Sequence, residues 1–229
     1  MRRSAPVLCA ALVLAGCGGG GDTKTTTSTT EAAAATAQQP GGCSRVAAPR
    51  PKGRQTLARP TARLAPGKPY TVALQTNCGT IRIRLATAQA PRTAASFASL
   101  VRRGFYDGLT FHRIAKGPSG EDFVIQGGDP LGTGLGGPGF TVVERPPSDL
   151  RYTRGTVAMA KTQTEPRGAS GSQFFIVTAA DAGLPPDYAL VGRVVGRDDA
   201  VRRIAQVPAD DQDRPRAPVV IARATLRTG

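Results

Sequence analysis

Arg113 and Gln126 are the residues of this chain whose type and setting best suit chemistry. Arg113 lies inside the apolar tetrapeptide 111–114, and Gln126 ends the apolar run 123–126. A guanidinium stays charged and offers a rigid fork of N–H donors. Such donors, aimed at an atom whose charge or lone pair changes in a transition state, lower a barrier without any nucleophile. The amide of Gln126 could hold that fork or a substrate carbonyl, so the pair indicates a site that works by hydrogen bonding.

Each of these residues also has a simpler interpretation. Arg113 could be a surface residue of an alternating strand, and Gln126 could cap the end of one. His112, the only histidine of the chain, is interpreted as a packed structural ring rather than a base. The glycines between Gly127 and Gly139 superficially suggest a phosphate-binding loop. No Gly-Lys-Ser/Thr sequence or strand-to-helix context supports that function.

Short strands and two helices must position these residues. The segment 80–85 alternates apolar and basic residues, which predicts a half-buried strand, and a turn at 77–79 joins it to a strand at 70–76. Pro91 opens a helical pattern that Gly104 stops. Further elements are predicted as strands at 110–114, 123–127, 156–159, 174–178, 189–194 and 219–226 and a second helix at 198–206. Many short strands with Gly and Pro turns favour an antiparallel barrel capped by helices.

Five segments resemble the cyclophilin family of prolyl isomerases in their order and approximate spacing. They are Phe-His-Arg-Ile at 111–114, Phe-Val-Ile-Gln-Gly-Gly-Asp at 123–129, Met-Ala at 159–160, Gly-Ser-Gln-Phe-Phe-Ile at 171–176 and Leu-Val-Gly-Arg-Val at 190–194. The resemblance covers essentially all of residues 70–229. It implies a mainly β fold, a closed eight-stranded antiparallel barrel capped by two α-helices. It also implies peptidyl-prolyl cis–trans isomerase activity with no cofactor and no metal.

The chemistry of X-Pro bonds suits the residues that carry this resemblance. Resonance gives a peptide bond a rotation barrier of about 18–20 kcal/mol, and X-Pro isomerisation takes tens of seconds or longer. The resemblance implies that Arg113 donates to the prolyl nitrogen as it pyramidalises, while Gln126 holds Arg113 or the moving carbonyl. The substrate-binding residues that it implies are Phe123, Val124, Met159, Phe175 and Leu184 around the proline ring, Ala160 and Lys161 along the extended peptide, and also Gln173 and Tyr188.

The chain departs from the family pattern near the site. A longer loop, 115–122, replaces the usual proline after Phe-His-Arg, so the path that follows Arg113 is expected to be altered. Val124 stands where methionine is common, Lys161 where asparagine is frequent and Tyr188 where many members have histidine. Both candidate catalytic residues are retained. Their retention favours an enzyme over a non-catalytic chaperone or scaffold that only holds proline-containing segments.

The first residues predict export. Residues 1–16 have the pattern of a signal peptide, with Arg2 and Arg3 ahead of an apolar core too short to span a bilayer. The sequence Leu-Ala-Gly-Cys that ends at Cys17 resembles the lipobox of bacterial lipoproteins. It implies lipidation of Cys17 and an extracytoplasmic protein anchored by lipid to the bacterial cell membrane. The alternative is an ordinary signal peptide with a chance cysteine.

Composition divides the rest of the chain into two parts. Residues 17–69, rich in Gly, Thr, Ala and Pro, predict a disordered linker, and residues 70–229 predict a single domain. Cys43 and Cys78 are the cysteines left after Cys9 and Cys17 are assigned to the signal and the lipid site. In an oxidising exported setting this pair suggests a disulfide, the alternative being two independent thiols.

The net charge of the chain limits the classes of molecule that it is expected to bind. The chain carries 30 Lys and Arg against 16 Asp and Glu, a net charge of +14. The basic residues are scattered, and only 5% of all residues are aromatic, which argues against a nucleic-acid surface. The excess of positive charge permits contact with anionic lipids. We expect a monomer whose partners are proline-containing segments of unfolded or exported proteins.

Overall fold

The computed structural model describes residues 41–229, which contain ten β-strands and two α-helices. The elements are β1 (Tyr70–Thr76), β2 (Gly79–Leu85), α1 (Pro91–Arg102), β3 (Phe111–Lys116), β4 (Asp122–Gly127), β5 (Val142–Val143), β6 (Thr156–Met159), β7 (Ala169–Ser170), β8 (Phe174–Val177), β9 (Leu190–Val194), α2 (Asp199–Ala205) and β10 (Ile221–Thr228). The eight predicted strands and both predicted helices are confirmed. The predicted signal peptide and Cys17 lie outside the described residues. Within residues 41–229 no helix is long and apolar enough to cross a membrane.

The eight longer strands form one antiparallel sheet in the order β10-β1-β2-β9-β6-β8-β4-β3. The two short strands, β5 and β7, pair with each other. The edge strands β3 and β10 meet where each one starts, at a bridge between Thr110 and Val220. Backbone hydrogen bonds flank this bridge, from the Phe111 N–H to Val219 O at 2.9 Å and from the Ile221 N–H to Leu109 O at 2.8 Å. The prediction of a closed barrel is therefore wrong, because these contacts involve only the first residue of each edge strand and no ladder joins the rest of β3 to β10. The sheet is curled and its seam is not a continuous ladder.

The concave side of the curled sheet holds the main core. Four aromatic rings pack edge to face or tilted there, with the ring of Phe174 between 5.5 and 5.7 Å from those of Phe97, Tyr106 and Phe111. All four of these side chains are buried. Edge-to-face contacts match the positive rim of one ring to the negative face of the next. The core therefore joins α1, through Phe97, to β3 and β8.

Helix α1 begins and ends where its sequence predicts. Pro91 occupies the first turn, where its missing N–H is not needed. The carboxylate of Glu144 accepts hydrogen bonds from the free N–H groups of Arg92 and Thr93, which anchors the helix start to the segment after β5. Gly104 follows the helix with a φ of +63°, the left-handed conformation that suits a helix end.

Residues 43–69 do not behave as the predicted linker. They form an arm that lies against the domain: Ser44 N–H donates to Asn77 O at 2.8 Å, Lys52 N–H to Pro130 O at 2.9 Å and Leu57 N–H to Pro138 O at 2.8 Å. The Lys52 ammonium also donates to the carbonyl of Phe105 at 2.9 Å, beyond the end of α1. The prediction of disorder is wrong for this segment, because its backbone finds hydrogen-bond partners that composition does not reveal.

A disulfide fixes the start of the arm. Cys43 and Cys78 are bonded and both are buried, which confirms the pairing suggested by the sequence. The bond attaches the arm to the turn between β1 and β2. By the chain-entropy model, closing a loop over this sequence separation of 35 residues stabilises the fold by about 3–4 kcal/mol.

Candidate active site

A β-bulge at His112 turns Arg113 out of the core. In the ladder between β3 and β4, Phe111 pairs with Gly127 and Arg113 pairs with Gln126, so His112 is an extra residue with no partner of its own. Without the bulge, residues 111 and 113 would point to the same side of the sheet. With it, Phe111 is buried in the core while Arg113 points outward. Bulges beside functional sites often re-aim a side chain in this way.

The register of the paired strands places the candidate residues in a single row across the sheet. Arg113 on β3 is opposite Gln126 on β4, which is opposite Phe175 on β8, which is opposite Ala158 on β6. Partners in an antiparallel ladder point to the same face. We call this side the outer face and the opposite side, which carries Phe174, the inner face. The outer face brings together the two predicted catalytic residues and the predicted pocket residue Phe175.

Arg113 is held by two side chains. Its Nε donates to Asp213 Oδ2 at 3.0 Å, and its Nη2 lies 2.9 Å from the same oxygen. Its Nη1 donates to Gln126 Oε1 at 3.4 Å, a long contact. The Arg113 side chain remains 41% exposed. The predicted pairing of Arg113 with Gln126 is therefore present, whereas Asp213 was missed by the sequence reasoning because it lies 100 residues further along the chain.

Gln126 continues into a chain of amide hydrogen bonds. Its Nε2 donates to Gln173 Oε1 at 3.0 Å, and Gln173 Nε2 donates to the carbonyls of Gly134 and Gly136 at 2.8 and 2.9 Å. Gln173, predicted as a substrate-binding residue, thus links Gln126 to the glycine-rich loop 130–141. Pro130 and Pro138 of that loop accept hydrogen bonds from the arm, so the loop is bonded to the arm as well as to Gln173.

A small apolar cluster lies beside this row. Ala115, Val124, Tyr152, Ala158, Phe175 and Val177 form a buried cluster separate from the main core, against which the partly buried Phe123, Ala160, Leu184 and Tyr188 pack. The rings of Phe175 and Tyr188 meet edge to face at 5.3 Å. Tyr152 fixes the position of Tyr188, because its hydroxyl donates to the Tyr188 carbonyl at 2.6 Å. Burial raises the pKa of Tyr152 to about 12, so this donor stays protonated.

Met159 does not belong to this apolar cluster, which corrects its predicted place around the proline ring. Its side chain is 2% exposed and belongs to the main core. The reason is strand alternation, because Ala158 and Ala160 point to the outer face and Met159 between them points inward. The Ala160 N–H donates to the Gln173 carbonyl at 2.9 Å, so this amide is already occupied within the protein.

A cavity of about 520 Å³ adjoins the row on the side of the glycine-rich loop. Its walls are formed by residues 134–141, 160–162 and 171–173 together with Gln126 and Glu165. Lys161 lies at this wall, where its ammonium donates to the carbonyls of Thr162 and Glu165 at 3.1 and 3.2 Å. The cavity is of a size that takes several residues of an extended peptide.

His112 is the titratable group packed behind the row. Both ring nitrogens are buried without a hydrogen-bond partner among the described residues. Burial lowers the pKa of His112; the carboxylate of Asp129 opposes that shift and the guanidinium of Arg113 adds to it. A neutral ring beside Arg113 adds no positive charge to the site. This agrees with the interpretation of His112 as a structural residue.

The segment 115–122 leaves the site intact. Ala115 and Lys116 extend β3, and a short loop returns to β4, closed by an ion pair of 2.6 Å between Lys116 and Asp122. Ala115 pairs with Val124, directly beside the pairing of Arg113 with Gln126. The expected alteration after Arg113 is thus confined to the hairpin beyond Ala115, because the ladder keeps its register from Arg113 through Ala115.

Comparisons with known proteins agree on one family. Residues 71–226 match the family model described as cyclophilin type peptidyl-prolyl cis-trans isomerase/CLD. The chain is 40% identical over 159 residues to peptidyl-prolyl cis-trans isomerase-like 1 of Neurospora crassa, covering 68% of this chain and 93% of that protein. It is 35% identical over 173 residues to peptidyl-prolyl cis-trans isomerase A of Mycobacterium tuberculosis, covering 68% and 91%.

A solved structure gives the same result. The Cryptosporidium parvum cyclophilin type peptidyl-prolyl cis-trans isomerase, crystallised in the presence of the dipeptide Ala-Pro, superposes with a TM-score of 0.62 at 29% identity. The match covers 69% of this chain and 99% of that chain. The sequence and fold comparisons therefore agree on the family, and the residues that match the family model carry the row and the apolar cluster.

Proposed function

Because this chain belongs to the cyclophilin family and is a peptidyl-prolyl cis–trans isomerase, we propose that Arg113 is the catalytic donor to the prolyl nitrogen. As the X-Pro bond twists, its nitrogen becomes pyramidal and regains a lone pair. A guanidinium N–H directed at that lone pair stabilises the twisted state more than the planar one, which lowers the barrier. Gln126 restrains the Nη1 end of the fork, where the contact of 3.4 Å leaves room for a substrate group to compete.

The row across the four strands is the observation that carries this proposal. It puts a partly exposed guanidinium on the same face as the ring of Phe175, beside the apolar cluster to which that ring belongs. Phe123, Leu184 and Tyr188 would close around the proline ring and fix it while the preceding carbonyl rotates. Residues on the amino-terminal side of the proline would extend into the cavity beside the glycine-rich loop.

The proposal is tested by the catalysed isomerisation of a short Ala-Pro peptide with wild-type protein and Arg113→Ala. A transition-state hydrogen bond is worth about 3–4 kcal/mol, so the variant should lose about two to three decades in rate. Arg151→Ala is a matched control, since Arg151 also pairs with an aspartate but lies on the surface with 78% of its side chain exposed. The control should retain full activity. Equal rates for Arg113→Ala and wild type would refute the role of Arg113.

A second candidate function uses the same site but does not catalyse isomerisation. The alternative is a chaperone or scaffold that holds proline-containing segments, and it predicts that wild-type protein binds the peptide yet leaves its exchange rate unchanged. NMR exchange spectroscopy on the peptide separates the two, because it reports binding shifts and the cis–trans rate in one sample. Retention of Arg113 and Gln126 in a hydrogen-bonded pair supports the enzyme.

We also propose that the isomerase acts outside the cytoplasm on exported proteins, held to the membrane by lipid on Cys17. The signal-like residues 1–16 and the lipobox-like sequence before Cys17 support this placement. The Cys43–Cys78 disulfide also supports it, since such bonds persist in oxidising compartments. Incorporation of a labelled fatty acid should be lost in Cys17→Ser and retained in Cys9→Ser. Label that persists in Cys17→Ser would exclude the anchor.

A further inference from the structure

Asp213 is the residue in closest polar contact with Arg113. One carboxylate oxygen, Oδ2, receives both the Nε and the Nη2 of the guanidinium, at 3.0 and 2.9 Å. These two nitrogens form one edge of the fork, so the contact leaves the Nη1 end directed at Gln126 and the groove. Contact of two nitrogens with one charged oxygen holds this edge of the guanidinium against the carboxylate.

The loop that carries Asp213 is itself closely held. Asp210 folds it, because its Oδ1 accepts the N–H groups of Gln212 and Arg214 at 2.9 Å and its Oδ2 accepts Arg214 Nε at 2.9 Å. These hydrogen bonds, led by the one from the Arg214 backbone, lower the pKa of Asp210. The loop is fastened to β3 by the Ile114 N–H, which donates to the Asp213 carbonyl at 2.7 Å. Backbone and side chain of Asp213 therefore contact adjacent residues of β3.

Asp213 also has an unusual backbone. Its φ is 61°, and it is the one residue other than glycine with a positive φ among residues 41–229. Side chains with a Cβ are strained in this region, although Asp and Asn tolerate it better than most. Glycine would adopt the same conformation freely. A strained residue that touches a functional side chain is a common sign that the strain serves the site.

We propose that Asp213 is a positioning residue for Arg113, which holds the guanidinium in the orientation needed to meet the prolyl nitrogen. The proposal rests on the catalytic role of Arg113 proposed above. A half-exposed arginine samples many rotamers, and few of them direct an N–H at one point in the groove. Pairing with Asp213 removes that freedom before the substrate binds, so the donor is preorganised. The negative charge of Asp213 also weakens the positive field of the Arg113 guanidinium. The rate gained by orienting Arg113 must therefore exceed the rate lost through this weaker field.

Two substitutions separate orientation from charge and from folding. Asp213→Gly removes the side chain at a backbone conformation that glycine prefers, so the melting temperature should be unchanged or higher. Loss of the orienting contact should lower kcat about ten- to hundredfold, with KM little changed. Asp213→Asn keeps an oxygen at the same place and tolerates the same φ but carries no charge. We expect Asp213→Asn to retain kcat within about threefold of wild type, which is rescue by geometry alone.

The NMR signal of the Arg113 side chain gives a second measurement. It would not change if Asp213 had only a structural role. In wild-type protein the Arg113 Nε–H should give a protected, slowly exchanging NMR signal, because it donates to a carboxylate. The signal should persist in Asp213→Asn and disappear into rapid exchange in Asp213→Gly. A stable Asp213→Gly variant with wild-type kcat would overturn the proposal. So would a loss of kcat that only follows a loss of melting temperature.

Arg113→Ala in the same assay distinguishes this proposal from the one it rests on. If Arg113→Ala is inactive and Asp213→Gly is fully active, the catalytic role of Arg113 stands and only the positioning role fails. If Arg113→Ala is fully active, the catalytic role fails first. A double variant in an Arg113→Lys background adds a check, because lysine lacks the fork. There, Asp213→Gly should change kcat less than it does beside Arg113.

Discussion

The inner and outer faces of strands β3, β4, β6 and β8 carry different kinds of side chain. The inner face carries Phe111, Ile125 and Phe174, all fully buried in the main core. The outer face carries Arg113, Gln126 and the small apolar cluster around Phe175. Neighbouring residues on one strand therefore belong to different clusters, one on each face. The two-residue period of the strands separates the core side chains from those of the proposed site, and a single bulge at His112 places Arg113 among the latter.

The largest expected effect tests the inner face. Phe174→Ala removes a ring that contacts three other aromatic rings in the core, at centroid distances of 5.5 to 5.7 Å. We expect the free energy of unfolding to fall by about 3–5 kcal/mol. Urea denaturation measures this loss. Activity per folded molecule should change little, and a large drop in kcat at full folding would show that the two faces are not separate.

The next effect tests the outer face one residue along the same strand. Phe175→Ala removes the ring proposed to contact the substrate proline, and burial of such a surface is worth about 1.5–3 kcal/mol. Catalytic efficiency should therefore fall about ten- to hundredfold, mainly through a higher KM. Stability should fall by less than in Phe174→Ala, because Phe175 belongs to the smaller cluster. Peptide titration and urea denaturation of both variants give the comparison directly.

Gln173→Ala sharpens the comparison within the outer face. It breaks the link between Gln126 and the carbonyls of Gly134 and Gly136. Loss of a hydrogen bond of this kind is worth about 0.5–1.5 kcal/mol, so catalytic efficiency should fall about three- to tenfold. Gln206→Ala, on the exposed end of α2, is the control and should be neutral. Unchanged kinetics in Gln173→Ala would mean that the loop does not support the row.

The smallest effect concerns His112 between the two faces. Burial lowers its pKa in the folded state below the ordinary value of 6.5, so the unfolded chain binds the proton more readily. Stability is then full above pH 6.5 and declines as the pH falls from 6.5 towards the folded pKa. Urea midpoints at pH 7.5, 6.5 and 5.5 should show this decline in wild-type protein. His112→Gln should remove it, and an identical decline in that variant would assign it to other groups.

Local patterns predicted much of this arrangement. Alternation in 80–85 and the Pro91 and Gly104 boundaries of α1 follow from residue type and neighbours along the chain. These features depend on backbone conformations that a few adjacent residues decide. The resemblance to a family then gave the mainly β fold with two helices and brought Gln126 to Arg113.

Other features depend on contacts between distant segments. The bulge at His112, the inward side of Met159 and the arm of residues 43–69 depend on which partner each backbone group finds. Asp213 carries no signal in its own neighbourhood, because its role comes from a loop that docks on β3 from 100 residues away. The open seam between β3 and β10 likewise depends on where the two edge strands separate.

The Cys43–Cys78 bond decides how the domain carries mechanical load. A pull on the chain ahead of residue 43 passes through the sulfur atoms to the turn between β1 and β2, because residues 44–77 lie within the closed covalent loop. The arm therefore experiences no peeling force, and its hydrogen bonds to Pro130 and Pro138 are shielded from tension. Whatever holds this protein by its amino-terminal end, the glycine-rich loop and the row behind it are mechanically isolated from that attachment.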